Sequence, residues 1–477
     1  MAIPIAHSVR FSRTVHNDHE LEASMSVQQF PDAPWWRGVT RFQWFVFAVA
    51  SGAWLFDNLD QRLFSLARIP ALTDLMGPDA AGLEVQAFAK VATALFLIGW
   101  GIGGLTFGAL GDRFGRVRLL SISILLYSVC TGLTAICQSH WQFAVLRLAT
   151  GIGIGGVFGL AVAILAETVS GGARLAMLAL FQVFSTVGNI GAALTKMGVD
   201  TLAERGAIAV DGSWRWLFAI GAAPALLAVI AGLCLKESDA WLRLRDSGSL
   251  PRGWFGSYAQ LLAEREERRN LLIGTLLAVA GVVGLWAIGE YAVDLQDAVF
   301  TRYFSTRVEG AAVAAHVAQA KNLAYLLQMI GGAAGMLLFT HVADRHGRRP
   351  AFIGGFTAAF LVTLLVYWRL DSPLQAYWMM PLMGAAQLSV FAGFSIYLPE
   401  LFGARARGTG VSFAYNLGRF AAAGGSFVSA LLTTRLFDGF AAPAPLRYSA
   451  MAMCAVFLLG AAAAFFGPET RGRELRG

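Results

Sequence analysis

Charged side chains are few. Only 14% of the 477 residues are Asp, Glu, Lys or Arg, against about 25% in an ordinary soluble domain. A chain this poor in charge cannot cover itself with polar surface, which excludes a soluble globular protein. Cysteine is sparse too. Cys130, Cys137, Cys234 and Cys454 lie in or beside apolar segments. None has the paired spacing of a zinc site, a redox motif or a disulfide framework. No clustered nucleophiles or metal ligands mark an enzyme: His140 is alone, and His341 and His346 flank a loop without a ligand pattern. No metal or cofactor is expected. The first 40 residues carry Arg10, Arg13, His16, Asp18, His19, Glu20 and Glu22 but no run of 7–15 apolar residues. A cleavable signal peptide is therefore not expected, and the first membrane helix should be its own insertion signal.

What is present is hydrophobicity. Apolar residues make up 56% of the chain, and mean hydropathy is +0.59. Apolar runs fall at about 42–66, 88–110, 118–137, 141–166, 174–198, 214–235, 271–295, 320–342, 350–368, 375–398, 408–432 and 446–467. Each is long enough to span a bilayer. The expected fold is an all-α membrane protein of twelve transmembrane helices. Its parts are an N-terminal tail (1–40), a six-helix half (41–235), a central loop (236–270), a second six-helix half (271–467) and a C-terminal tail (468–477). The stretch 264–269 reads as a polar helix lying along the inner surface.

The net charge of +7 belongs to loops rather than to nucleic acid. Of 37 basic residues, 23 fall in the tails and the even-to-odd loops, and 6 in the opposite loops. That asymmetry predicts both tails and the central loop in the cytoplasm of an inner (plasma) membrane protein. Trp35, Trp36 and Trp44 fit an interfacial belt on that side.

The two halves repeat. Asp112-Arg113-x-Gly115-Arg116 recurs 232 residues later as Asp344-Arg345-x-Gly347-Arg348. Glu167 and Arg174, seven apart, recur as Glu400 and Arg407 at a shift of 233. The same shift carries Asp57 onto Glu290. Six-helix repeats place a substrate site between the halves near the midplane. These eight charged residues with Gly115, Arg116, Gly347 and Arg348 read as a cytoplasmic gate that closes in the outward-facing state.

These motifs resemble the major facilitator superfamily over most of the chain. Arg147-x-x-x-Gly151-x-Gly153-x-Gly155-Gly156, Pro399-Glu400-Leu401-Phe402 and Pro468-Glu469-Thr470-Arg471-Gly472 are similar to its sugar-porter and metabolite:proton symporter branches. Asp57-Asn58-Leu59-Asp60 and Tyr415-Asn416-Leu417-Gly418-Arg419 look closer to the aromatic and organic acid:proton symporters. Two departures from the sugar porters stand out. Lys236-Glu237-Ser238-Asp239-Ala240 replaces their P-E-S-P-R, and helix 7 has no Gln pair. The resemblance implies a major facilitator fold, a small-molecule substrate carried with protons, and a binding role for Gln182.

Ionisable residues inside spans are costly and mark cavities or partners. Lys90, Lys196 and Lys321 each lie about 33 Å from the inner loops, a full span, and should snorkel at the outer interface. Asp57 and Asp60 lie deeper and share one helix face. Arg147 lies at a matching depth on helix 4, so an ion pair is possible. A proton that displaces Arg147 from its carboxylate would couple binding to transport, and the resemblance implies this role for the helix 1 Asp and helix 4 Arg. Arg419, near the midplane of helix 11, shares a face with Tyr415. It either contacts an anionic substrate together with Gln182, Tyr415 and Asn416, or pairs with Glu290 or Asp294. Glu290 is a second proton site or an outer-gate group. Glycines at 99, 101, 103, 104 and 108, and at 151, 153, 155 and 156, permit close helix approach. The expected protein is a monomeric secondary transporter in the lipid bilayer. It is a proton symporter of a small organic acid, or alternatively a sugar or polyol porter, an exporter or a uniporter.

Overall fold

The computed structural model describes residues 34–77, 82–209, 212–253, 256–308, 310, 312–441 and 443–476. The tail charges from Arg10 to Glu22 lie outside the described residues. Trp35–Gly38 is a single 3-10 turn, a unit of its own.

Among the described residues there is no strand, and twelve membrane helices follow in order. They are α1 (Arg41–Met76), α2 (Gly82–Phe114), α3 (Arg116–Thr134), α4 (His140–Thr168) and α5 (Gly171–Glu204). Then come α6 (Ser213–Gly221 and Ala225–Cys234), α7 (Arg265–Val283 continuing to Ser305) and α8 (Ala312–His346). The last four are α9 (Arg348–Arg369), α10 (Pro373–Leu401), α11 (Arg407–Leu431) and α12 (Ala444–Met453 and Ala455–Phe466). Ten are long and apolar enough to cross a bilayer by hydropathy alone. The other two, α1 and α11, carry Asp57, Asp60 and Arg62, and Arg407 and Arg419. Polar residues there depress the very signal that identifies a span.

Several elements run longer than the apolar runs suggest. α1 continues through Pro70 to Met76, so Asp57 and Asp60 sit inside a helix and not at its end. The stretch 264–269 is not a separate surface helix. Its residues open α7, and the short surface helices of the central loop are Asp239–Asp246 and Gly256–Ala263.

Local chemistry starts and bends these helices. Thr40 and Gln43 form a capping box at α1. Ser139 caps α4 by accepting from Gln142 N at 3.2 Å, and Ser372 caps α10 by accepting from Gln375 N at 3.3 Å. These caps are again 233 apart, so the duplication extends to helix starts. α7 carries a π turn at Gly284–Ile288. Such turns leave a carbonyl out of the ladder, and Tyr367 Oη donates to the Ile288 carbonyl.

Within each half, two helices meet backbone to backbone. A Cβ at Gly99 or Gly103 of α2 would run into the Leu148 or Ile152 carbonyl of α4. The second half repeats this, with Gly331 and Gly335 of α8 against Pro381 and Ala385 of α10. The halves themselves meet along α2 with α11 and α5 with α8.

The α2–α3 turn shows why glycine is required. Gly115 has φ 109°, and a Cβ there would lie 2.5 Å from Glu237 Oε1. Glu237 takes the amides of Arg116 and Val117 at 2.9 and 3.0 Å, capping α3. Gly347 (φ 102°) and Glu469 repeat the arrangement at α9, with Arg348 and Arg349 N at 2.9 and 3.1 Å. Burial pushes the Glu469 carboxyl up, but four backbone amides outweigh it and hold the group below the ordinary glutamate range. Gly115→Ala is expected to cost about 1–3 kcal/mol through backbone strain and displacement of the cap. A clear drop in the midpoint of thermal unfolding in detergent would register this. Gly354→Ala in α9, where a Cβ meets nothing within 4 Å, should be neutral or slightly stabilising. Equal behaviour of the two variants would overturn the account.

Candidate functional site

Three polar constellations stand out, two at the interface between the halves and one inside the first half. The first lies at the face that carries the α2–α3 and α8–α9 turns and joins the two halves there. Asp112 is fully buried. It accepts from Arg116 Nη2 at 3.1 Å, from Gly408 N at 3.1 Å, from Thr409 N at 2.8 Å and from Thr409 Oγ1 at 2.7 Å. Arg116 also pairs with Glu167, and Glu167 pairs in turn with Arg407 of the other half. One buried carboxylate therefore sits between two guanidiniums, one from each half. Arg348 pairs with Glu400 at 2.8 Å.

Among the described residues, four of the expected gate residues take no part in an ion pair. Asp344 and Arg345 are exposed, whereas Asp112, the first-half counterpart of Asp344, is buried against the start of α11. Arg113 turns outward and stacks on Phe114 at 5.0 Å. Arg174 donates to its own Val169 carbonyl at 2.8 Å. The repeat is thus present in sequence but is not used symmetrically.

The second constellation is a buried box inside the first half. Asp60 lies 3.6 Å from Arg147 Nη1 and accepts from Thr131 Oγ1 at 2.7 Å. Arg147 also donates to Thr134 Oγ1 at 2.6 Å and covers the Phe218 ring at 4.8 Å. Asp57, one turn earlier, is 1% exposed. Among the described residues neither of its oxygens has a hydrogen-bond partner. The charged groups around it are Arg419 and Asp60. So the ion pair foreseen for helix 1 is made by Asp60, and Asp57 stands apart from Arg147.

The third is a cavity between the halves. α1 contributes Asn58, Gln61, Arg62 and Ser65, and α5 contributes Gln182, Ser185, Thr186 and Asn189. Trp100, Trp286, Tyr325, Tyr415 and Arg419 complete its walls. The cavity continues past Arg62 toward Arg68 and Thr93, away from the closed face. Arg419 is 6% exposed. Its guanidinium lies 3.6 Å from the Trp100 ring and 4.5 Å from Tyr415. Its Nη1 donates to Asn416 Oδ1 at 2.6 Å. Asn416 therefore orients Arg419 and does not itself line the cavity. Among the described residues no carboxylate lies within 4 Å of Arg419, and Asp294 is exposed. The Glu290 side chain lies outside the described residues. Lys321 pairs with Asp297 at 2.6 Å and Lys196 with Asp200 at 2.5 Å, while Lys90 is exposed.

The family pattern described as "Sugar (and other) transporter" matches residues 65–252 and 300–477. The chain belongs to this family. It is 28% identical over 443 residues to a probable 4-methylmuconolactone transporter of Cupriavidus pinatubonensis, covering 92% of this chain and 93% of that one. It is 27% identical over 382 residues to a cis,cis-muconate transport protein of Acinetobacter baylyi, covering 79% and 84%. The fold matches the major facilitator proton:xylose symporter XylE bound to 6-bromo-6-deoxy-D-glucose, with TM-score 0.70 at 18% identity over 91% of this chain and 98% of that one. This protein is accordingly a multi-pass membrane transporter of the major facilitator fold.

The sugar (and other) transporter family membership leaves several residues that motif reasoning passed over. Asn58, Gln61, Arg62 and Ser65 stand at i, i+3, i+4 and i+7, a single helix face. Gln182, Ser185, Thr186 and Asn189 have the same spacing. Two polar stripes of this kind inside apolar spans were the available signal for the cavity. Glu237 and Glu469 were also missed, although they are 232 apart. So are Ser238 and Thr470, whose hydroxyls donate to Glu167 and Glu400.

Removing the charge of Glu167 leaves two buried guanidiniums without their shared partner, a loss of about 3–5 kcal/mol. In Glu167→Gln the amides of Gly408 and Thr409, held by Asp112 across the interface, should exchange hydrogen at least about tenfold faster. In Glu400→Gln, whose bonds stay within the second half, that protection should hold. Hydrogen exchange read by mass spectrometry on the 403–412 segment decides, and unchanged protection in Glu167→Gln would count against the gate.

Proposed function

We propose that this transporter is a proton-coupled symporter of a small organic anion, and that Arg419 is the group that receives the substrate carboxylate. The observation that carries this reading is a fixed guanidinium on the cavity wall with no acidic partner among the described residues. It lies over the rings of Trp100 and Tyr415. Nη1 gives one hydrogen bond to Asn416, and the other in-plane donors remain for contact with a carboxylate. The relatives named for muconate and 4-methylmuconolactone support a compact unsaturated acid. Gln182 and Tyr415 provide the polar contacts beside it, and Asn416 holds the guanidinium in place.

The proton side rests on α1. Asp60 and Arg147 form a pair that a proton on Asp60 would break. Asp57 lies between that pair and Arg419, so anion binding at Arg419 and protonation of Asp57 favour each other. The working units are the halves 41–235 and 271–467, which rock about the cavity. The buried network around Glu167 and Asp112 closes the cytoplasmic side while the cavity faces outward. Basic loops place both termini in the cytoplasm of the inner membrane, and the transporter works as a monomer.

Proteoliposomes with an imposed pH gradient test the reading. Asp60→Asn and Asp57→Asn should lose gradient-driven accumulation of a carboxylate by at least about tenfold, and at least one should retain counterflow. Arg419→Gln should lose binding of carboxylates by about 10–100-fold. Normal accumulation in both aspartate variants, or uptake indifferent to collapse of the gradient, would sink the proton coupling. Retained carboxylate binding in Arg419→Gln would sink the anion site.

A further inference from the structure

The cavity holds a second cation that the account so far leaves idle. Arg62 projects from α1 of the first half, and Arg419 from α11 of the second. Both line the central cavity and its outward continuation. Arg62 lies 4.3 Å over the Tyr325 ring of α8. Its Nε is buried and has no hydrogen-bond partner among the described residues. Among those residues, no carboxylate lies within 4 Å of it.

We infer that the substrate is a small planar dicarboxylate, with one carboxylate on Arg419 and the other on Arg62. The inference rests on the organic-anion reading and narrows it. Charge is the first argument. Asp60 and Arg147 cancel each other, and a protonated Asp57 adds nothing, so among the described residues the cavity wall then carries two positive charges without an ion-pair partner. In a low-dielectric cavity those charges repel. A monoanion cancels one, and a dianion cancels both.

Geometry is the second argument. Each guanidinium lies over an aromatic ring, Arg62 on Tyr325 and Arg419 on Trp100, and each has further N–H donors for a fork contact. The space between them is walled by Trp100, Trp286 and Tyr325, flat surfaces that suit an unsaturated connector. The two anchors belong to different halves. A ligand with a carboxylate at each end would tie α1 to α11 across the cavity. Without such a ligand the two like charges on the wall repel, which opposes bringing the halves together.

The test uses two probes of equal length, hexa-2,4-dienedioate and hexa-2,4-dienoate, titrated by calorimetry into the purified full chain at pH 7. The wild type should bind the dienedioate at least about tenfold tighter. In Arg62→Gln, dienedioate affinity should fall about 10–100-fold and dienoate affinity less than about threefold, erasing the preference. Arg62→Lys, which keeps the charge without the fork, should retain part of it. Thermal unfolding of each variant checks that it is folded. Equal affinity of wild type for both probes, or equal weakening of both in Arg62→Gln, would overturn the dicarboxylate assignment while leaving organic-anion transport standing. Binding of neither probe by the wild type would bring down the organic-anion reading itself.

Discussion

The closed face depends on one buried carboxylate. Glu167 is held by Arg116 of its own half and Arg407 of the other, and all three side chains are essentially out of solvent. Charges this deep are stable only while every partner is present. The network is therefore strong when complete and poor when partial, which is what a two-position gate requires. Asp112 adds a second tie by accepting three hydrogen bonds from Gly408 and Thr409. Rocking the halves apart must break both ties at once. The freed charges would then face water, where their desolvation cost disappears.

Duplication supplied the parts, but the halves use them differently. Arg116 with Glu167 and Arg348 with Glu400 are equivalent pairs, each with a glutamate cap and a hydroxyl from the segment after the sixth helix of its half. Only the first-half pair extends across the interface. Asp344 stands exposed where Asp112 is sealed. α2 meets α11 closely because Gly101, Gly104 and Gly108 leave room for Phe420, Asn416 and Ser412. At two of the equivalent positions α8 carries Met336 and Thr340. The side without those glycines meets α5 less closely than α2 meets α11, and its aspartate stays outside the contact.

This explains how much could be read in advance. Helix number, the repeat and the pairing of Arg147 with a helix 1 aspartate were all legible, because spans and charges inside them are governed by the bilayer. The roles of Arg113, Arg174, Asp344 and Arg345 were not. Symmetry in sequence predicts symmetry of opportunity, while contact depends on which helices approach. Arg62 was hidden for a different reason. It sits beside Asp57 and Asp60, and attention to carboxylates concealed that Asn58, Gln61, Arg62 and Ser65 share a face of their own.

In the mechanism proposed above, that division of α1 joins proton to substrate. One face carries Asp57 and Asp60 into the first half, and the other carries Arg62 and the amide stripe into the cavity. Both faces belong to one rigid helix, because α1 runs unbroken from Arg41 to Met76. A proton that loosens Asp60 from Arg147 frees α1 from α4, the helix that carries the Glu167 gate at its far end. A substrate held on the opposite face pulls α1 toward the second half. Neither event alone both releases α1 from its own half and engages it with the other. Coupling on this proposal is a property of one helix with two chemically distinct faces, and the proposed gate would respond because α4 carries both Arg147 and Glu167.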